Sequence, residues 1–318
     1  MLNHIFEKIK KSQELTKADA MELLDINNGT EEYYQLLGLA NRYSRKQFDG
    51  KGLIFAQIGL DAQPCEVNCK FCSLAKDVFD PSMRNEKPLE DVINYVRQLV
   101  EAGAQEMFLM TTASYSQEKF LKYAASVKAI LPPQMRFVAN VGDFDLTYAK
   151  RLKEVGFTGV YHICRLREGV DTQARLEDRV KTLDSVRDAG LELYYCVEPI
   201  GAEHNNMEIV EEIFRAKKYP VDAMAVMKRI SVEGSQLYGR GEVSAMTLAK
   251  IAAVTVLSVR PSRAMGVHEP DELCLVAGAN QIYAEVSVNP RDTSQVTELS
   301  RGYSVAAAKK LLEKTEWM

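Results

Sequence analysis

The stretch Pro64-Cys65-Glu66-Val67-Asn68-Cys69-Lys70-Phe71-Cys72 sets three cysteines in a C-x3-C-x2-C spacing, with an aromatic residue directly before the last. Thiols this close in sequence suit one metal centre. No fourth Cys or His follows nearby, so the loop cannot close a four-ligand site alone. Two readings fit. One is a zinc ion whose shell is completed from elsewhere in the chain. The other is a [4Fe–4S] cluster on three thiolates, with one iron left for a non-protein ligand.

Immediately before this loop, Leu53-Ile54-Phe55-Ala56-Gln57-Ile58 reads as a strand, and from there the chain alternates. Further strands are expected at 106–111, 136–141, 159–164, 191–197, 222–227, 263–267 and 281–286. Helices are expected at 89–102, 117–131, 146–155, 173–189, 207–218, 245–257 and 271–277. Gly103, Gly156 and Gly190 supply helix stops. The strands are short continuous apolar runs, as when a sheet is covered on both faces. About eight strand–helix steps in roughly 240 residues predict an α/β fold, a (β/α)8 barrel of the TIM type.

Residues 2–48 read as helices. Thr16-Lys17-Ala18-Asp19 is an N-cap pattern, and Tyr33, Leu36, Leu37 and Ala40 recur at helical intervals. The expected organisation is an N-terminal helical cap over 1–50, then a barrel with a C-terminal helix over 51–318. No linker, low-complexity segment or longer repeat divides it. In such barrels the chemistry sits at the C-terminal ends of the strands. The three-cysteine loop follows the first strand and so belongs to that face. A structural zinc site has no reason to be there, which argues against a merely metal-stabilised binding protein.

The 318 residues are 46% hydrophobic and 26% charged, an ordinary globular composition. Net charge is -4 with no basic cluster, so nucleic acid is not an expected partner. No apolar run reaches the length of a membrane span, and no apolar core follows a basic start. A cytoplasmic location is expected. The six cysteines are Cys65, Cys69, Cys72, Cys164, Cys196 and Cys274. Cytosolic thiols stay reduced, so metal ligation or burial is expected rather than a disulfide framework.

The C-x3-C-x2-C spacing with Phe71 resembles that of the radical SAM superfamily. There, three cysteines hold a [4Fe–4S] cluster whose open iron binds and reduces S-adenosylmethionine (SAM). Over roughly residues 30–315 the chain is similar to the biotin synthase-like branch, which includes biotin synthase, lipoyl synthases, methylornithine synthase and hydrogenase-cofactor maturases. Three further stretches carry this. Arg179-Val180-Lys181-Thr182-Leu183-Asp184-Ser185-Val186-Arg187-Asp188-Ala189-Gly190 resembles the helix before the fifth strand. Val232-Glu233-Gly234-Ser235-Gln236-Leu237 resembles the turn after the sixth. Leu275-Val276-Ala277-Gly278-Ala279-Asn280-Gln281-Ile282-Tyr283 resembles the branch's M-A-G-A-N-S-I-F element.

The resemblance implies that Cys65, Cys69 and Cys72 ligate the cluster and that Phe71 packs near adenine. It places Thr111 and Thr112 by the SAM amino group, Glu168 near SAM, and Arg179 at the SAM carboxylate. Biotin synthase adds an auxiliary cluster held by three Cys and one Arg. Cys196 matches one of those positions. Met110-Thr111-Thr112 and Val138-Ala139-Asn140-Val141 depart from the other two. A different auxiliary iron–sulfur cluster is therefore expected, on Cys164, Cys196 and Arg263. Cys274 is read as a buried structural thiol. His162 and His268, near strand ends, are read as hydrogen-bonded core or rim histidines.

The implied activity is hydrogen abstraction from an unactivated carbon, with sulfur insertion first, as in two-protein lipoyl synthases or an atypical biotin synthase. The substrate would be a small molecule or an acyl group on a carrier protein. An electron donor such as flavodoxin or ferredoxin is implied, and a second radical SAM protein as partner. The alternative is radical rearrangement or cofactor maturation without sulfur transfer. Composition suggests that the 81–88 and 231–242 loops move over the pocket.

Overall fold

Parallel strands close into a barrel in a computed structural model that describes residues 2–284 and 304–317. Three helices come first: α1 (Leu2–Lys10), α2 (Lys17–Leu24) and α3 (Glu31–Gln47). Thr16 and Asp19 form the reciprocal capping box at the start of α2. These helices join the core that surrounds the barrel, with Tyr33, Leu36 and Ala40 fully buried. The Tyr33 hydroxyl donates to Met246 O at 2.9 Å, tying α3 to a barrel helix.

The barrel strands are β1 (Leu53–Gly59), β4 (Glu106–Met110), β5 (Arg136–Asn140), β6 (Gly159–Tyr161), β7 (Glu192–Ile200), β8 (Val221–Lys228), β9 (Ala264–His268) and β10 (Gln281–Ala284). Their order around the barrel is β1-β10-β9-β8-β7-β6-β5-β4, each pair parallel. Helices α4 (Leu89–Ala102), α5 (Gln117–Lys128), α6 (Leu146–Val155), α7 (Leu176–Asp188), α8 (Asn206–Ala216), α9 (Ala245–Val259) and α10 (Glu272–Val276) connect them. The last described helix is α11 (Val305–Lys314). Gly103 and Gly156 end α4 and α6 with φ of 96° and 108°, a left-handed conformation that needs glycine. The sequence expectations differ mainly at edges. β6 stops at Tyr161, and α7 starts at Leu176 rather than 173. The last two residues of the expected 281–286 strand lie outside the described residues. A short antiparallel pair, β2 (Asp61–Ala62) and β3 (Asn85–Glu86), was not foreseen. No described helix is long and apolar enough to cross a membrane.

The barrel interior is stacked in levels. An aromatic plug of Phe55, Phe108, Tyr194 and Tyr283 fills its lower half, with Val138, Ala223 and Ala264. Phe55 and Phe108 lie 4.6 Å apart between centroids, and Phe108 meets Tyr194 edge-on at 5.2 Å. Beneath the plug, at the N-terminal ends of the strands, Arg263 pairs with Glu106 and donates to the Tyr194 hydroxyl. Gln281 Nε2 donates to the same Glu106 at 2.8 Å. This corrects the expectation for Arg263. It precedes β9, so it belongs to the floor, where its guanidinium is occupied by Glu106 and stacked on Tyr194 at 5.0 Å. It does not face the three-cysteine loop.

On the outer face of the wall, the Tyr195 hydroxyl donates to Glu212 of α8, and Arg215 Nε lies 3.0 Å from the same carboxylate. Burial pushes Glu212 up to about 7, against the pull of Tyr195 and Arg215. The folded state therefore holds this proton more tightly than the unfolded chain. The stabilisation is complete below the ordinary glutamate range and is lost as pH rises through about 7. The thermal midpoint of apo-protein is expected to fall between about pH 6 and pH 8, and Glu212→Gln to flatten that fall; an unchanged slope would reject the assignment. Arg263→Met strips the partner from a buried carboxylate and is expected to lower stability by about 3–5 kcal/mol. Denaturant melts check the loss, and unchanged iron content after reconstitution checks that Arg263 is not a ligand.

Candidate functional site

The chain leaves β1 at the C-terminal end of the barrel and makes a long excursion before α4. The β2–β3 pair clamps the two ends of this loop. Inside it, the Cys65 N–H donates to Leu74 O at 2.8 Å. The Asn68 and Cys72 N–H groups donate to Cys65 O and Cys69 O, each at 3.1 Å. Asn68 sits at φ 48°, a left-handed conformation that asparagine tolerates. Its side chain is fixed by Asp77, with Nδ2 donating at 2.7 Å and Oδ1 accepting at 3.2 Å. Ala62, Leu74 and Phe79 make a small apolar core against which Cys65 and Cys72 pack.

Cys65, Cys69 and Cys72 open onto a cavity above the aromatic plug, also lined by Phe71, Thr111, Asn140, Arg179 and His268. Burial pushes the Cys69 thiol up, the Arg165 guanidinium pulls it down, and the Cys72 and Cys65 thiols push it up again, so the three sulfurs are electrostatic neighbours. They nevertheless do not form a set within 4.8 Å of one another. Three thiolates on one loop with an open side toward the cavity suit a [4Fe–4S] cluster that leaves one iron free. Arg165 Nη1 is buried with no hydrogen-bond partner among the described residues. Its one carboxylate contact there is Glu168 Oε2 at 4.0 Å, and a buried guanidinium nitrogen without a hydrogen bond near Cys69 suits an anionic thiolate-bound group.

The residues singled out for SAM take several positions. Phe71 and Thr111 line the cavity. Thr112 lines it too, but its N–H donates to Asp61 Oδ1 at 2.8 Å and its hydroxyl to the other oxygen, so it anchors the β4 loop. Arg179 and Glu168 form a buried ion pair, Nε to Oε2 3.3 Å, rather than a surface pair. Arg179 Nη1 also donates to Asp143 at 3.1 Å. Glu168 accepts from the Arg165 N–H at 2.9 Å and from the Thr172 hydroxyl. Arg179 reaches the cavity wall; Glu168 lies behind it.

The structure separates Cys164 from Cys196, which corrects their expected shared cluster. Cys164 lies on the helix side of the wall. Its N–H donates to the Tyr195 hydroxyl at 3.2 Å, and burial and Glu212 of α8 push its thiol up. Cys196 faces the barrel interior, beside Glu198 and Tyr161. With Arg263 in the floor, the three do not meet. Cys274 is fully buried in α10, away from the cavity. His162 Nε2 lies 3.3 Å from Asp143 as a core histidine. Burial lowers its pKa, although Asp143 works against that.

Sequence reading passed over Tyr161, Arg165 and Glu198, all of which line the cavity. The Tyr161 hydroxyl donates to Glu198 Oε2 at 2.7 Å. The parity of β7 was the available signal, since residues 194, 196 and 198 share a face. Gly142 also lines the cavity, and a Cβ there would overlap the Ala113 carbonyl.

No protein-family model matches the chain. It is 24% identical to a biotin synthase of Pelotomaculum thermopropionicum over 305 residues, 89% of this chain and 91% of that one. Its fold superposes on a methylornithine synthase with a TM-score of 0.83 at 18% identity, covering 98% of this chain and 95% of the other. It superposes on the FeFe-hydrogenase maturase HydG from Carboxydothermus hydrogenoformans with a TM-score of 0.81 at 16% identity, covering 98% and 77%. With its C-x3-C-x2-C loop at the C-terminal face of a closed eight-stranded barrel, the chain is similar to the biotin synthase-like branch of the radical SAM superfamily.

Proposed function

We propose that this protein is a radical SAM enzyme that acts on a small substrate inside its barrel, in a rearrangement or cofactor-building reaction without sulfur transfer. The observation that carries the reading is that Cys65, Cys69 and Cys72 open together onto the cavity at the C-terminal face of the barrel, beside Phe71 and Arg179. A [4Fe–4S] cluster with SAM at its open iron supplies, when bound, an electron and a carbon-centred radical able to take hydrogen from an unactivated carbon. Everything else falls to the chain. Arg179, held by Glu168 and Asp143, presents a guanidinium edge for the SAM carboxylate. Phe71 offers an apolar face for adenine. Thr111 and Asn140 offer polar groups between them. The aromatic plug closes the cavity from below and keeps water out. Arg165 balances the charge on the thiolates.

Sulfur insertion is the second reading. Cys196 inside the barrel and the biotin synthase relatives favour it. Against it, Cys164 and Arg263 lie elsewhere, so a sulfur-donating cluster has one of its expected ligands in place. Either reading requires a one-electron donor of the flavodoxin or ferredoxin type. An acyl carrier or a second radical SAM protein belongs only to the sulfur-insertion reading.

Anaerobic reconstitution is expected to give about four irons per chain and SAM cleavage under reductant. Cys65→Ser, Cys69→Ser and Cys72→Ser should each abolish cleavage, and Cys164→Ala should leave iron unchanged. About eight irons, falling by half in Cys164→Ala or Cys196→Ala, would instead favour sulfur insertion. Zinc without SAM cleavage would reject both readings. Arg179→Met is expected to weaken SAM binding by about tenfold to a hundredfold, the loss of one charged hydrogen-bonding group. Anaerobic equilibrium dialysis checks this.

A further inference from the structure

Among the described residues, one set of three metal-ligating side chains brings its donor atoms within 4.8 Å of one another: Cys196, Glu198 and His268. We propose that this set binds a single divalent cation of the zinc class in the barrel wall, separate from the three-cysteine loop. Cys196 and Glu198 are two residues apart on β7, so both point inward. His268 ends β9 and reaches the same point across β8.

The space for an ion comes from small residues. At the register of Cys196, β8 carries Ala225 and β9 carries Gly266. A Cβ added at Gly266 would crowd Ala225 Cβ at 3.2 Å. On the β8 and β9 side this level is built of small residues, while Phe55, Tyr161 and Tyr283 flank the His268 ring at 5.4, 5.7 and 6.3 Å. A thiolate, a carboxylate and an imidazole are the mixed set that a borderline first-row divalent ion takes. Zinc bonds of about 2.0–2.3 Å would draw the donors to roughly 3.5 Å apart, a movement of about an ångström or less per side chain.

The surroundings suit a cation with one free position. Glu198 Oε2 accepts from the Tyr161 hydroxyl, which fixes the carboxylate, and the Cys196 thiol is also hydrogen-bonded to Glu198, a proton that a metal ion would replace. Arg165 also acts on Cys196, but it acts on Cys69 too, so the three-cysteine loop shares its charge. Cys196 is fully buried, whereas Glu198 and His268 line the cavity. Three protein ligands would stand behind the ion and its remaining position would face the cavity. That is the arrangement of an open zinc site, which takes an oxygen, nitrogen or sulfur donor from a substrate. The site would anchor substrate by Lewis-acid coordination, whatever the three-cysteine loop then does to it.

The test uses the full chain, anaerobically reconstituted, equilibrated with zinc sulfate and then dialysed against metal-free buffer. Zinc and iron per chain are counted by mass spectrometry, and the zinc shell is read by X-ray absorption. The expected result is about one zinc retained beside the iron, with a shell of one sulfur and otherwise nitrogen and oxygen. Cys196→Ser and His268→Ala should each lower retained zinc by about tenfold or more with iron unchanged. His268 lines the cavity, so its variant keeps the test decisive if the buried Cys196→Ser does not fold. Full iron with no zinc in the wild type would overturn the proposal, as would zinc retention by both variants. A shell of three sulfurs would place zinc on Cys65, Cys69 and Cys72 and overturn the cluster reading as well.

Discussion

Backbone hydrogen bonds from two other barrel loops hold the three-cysteine loop in place, and Lys70 is where they converge. Its N–H donates to Asp171 O at 2.9 Å, and its carbonyl accepts from the Leu237 N–H at 3.0 Å. Its ammonium lies 3.1 Å from Asp171 Oδ1. Next to it, the Gln173 N–H donates to Val67 O at 2.7 Å. Lys70 stands between Cys69 and Phe71, so these bonds set two thiols and the aromatic ring together. Each is worth only about 1 kcal/mol net, but together they remove the freedom of a loop with little core of its own. The 231–242 segment that supplies Leu237 is itself held. Arg229 pairs with Glu203 at 3.0 Å and donates to Leu237 O and Gly241 O. The geometry of the thiols thus depends on residues that never approach a metal.

The barrel interior separates two kinds of polar chemistry with an apolar layer. Below, Arg263 and Glu106 compensate each other's charge, although Arg263 Nε has no hydrogen-bond partner among the described residues. Above, Cys196, Glu198, Tyr161 and Arg165 are partly compensated and border the cavity. The aromatic plug keeps the two apart, so the floor stabilises while the upper level stays available for binding. A buried pair of this kind adds little net stability. Its effect is to satisfy charges that the closed end of the barrel would otherwise strand.

The barrel was legible because its strands are uninterrupted apolar runs and its helices end at glycine or proline. The three-cysteine loop was legible because its spacing is local. Errors arose where meaning depended on direction. Arg263 directly precedes a strand, and in a parallel barrel that assigns it to the floor, opposite the thiols. Cys164 was read as a strand end, but β6 stops three residues earlier at Tyr161, and alternation no longer governs which way Cys164 faces. Cys196 and Glu198 were within reach, since strand parity puts them on one face. His268 was not, because its meeting with them depends on barrel closure across β8. The β2–β3 pair is too short to carry any pattern.

At Gly142 the β5 loop passes so close to the Ala113 carbonyl that no side chain can stand there. This stretch of the cavity wall is bare backbone against bare backbone, and its shape follows from the strand register alone. Anyone wishing to refit the barrel to a different substrate would find that stretch closed to redesign. Room for change lies across the cavity, at Met227, Ile230 and Val232, where side-chain volume still decides how much space a guest has.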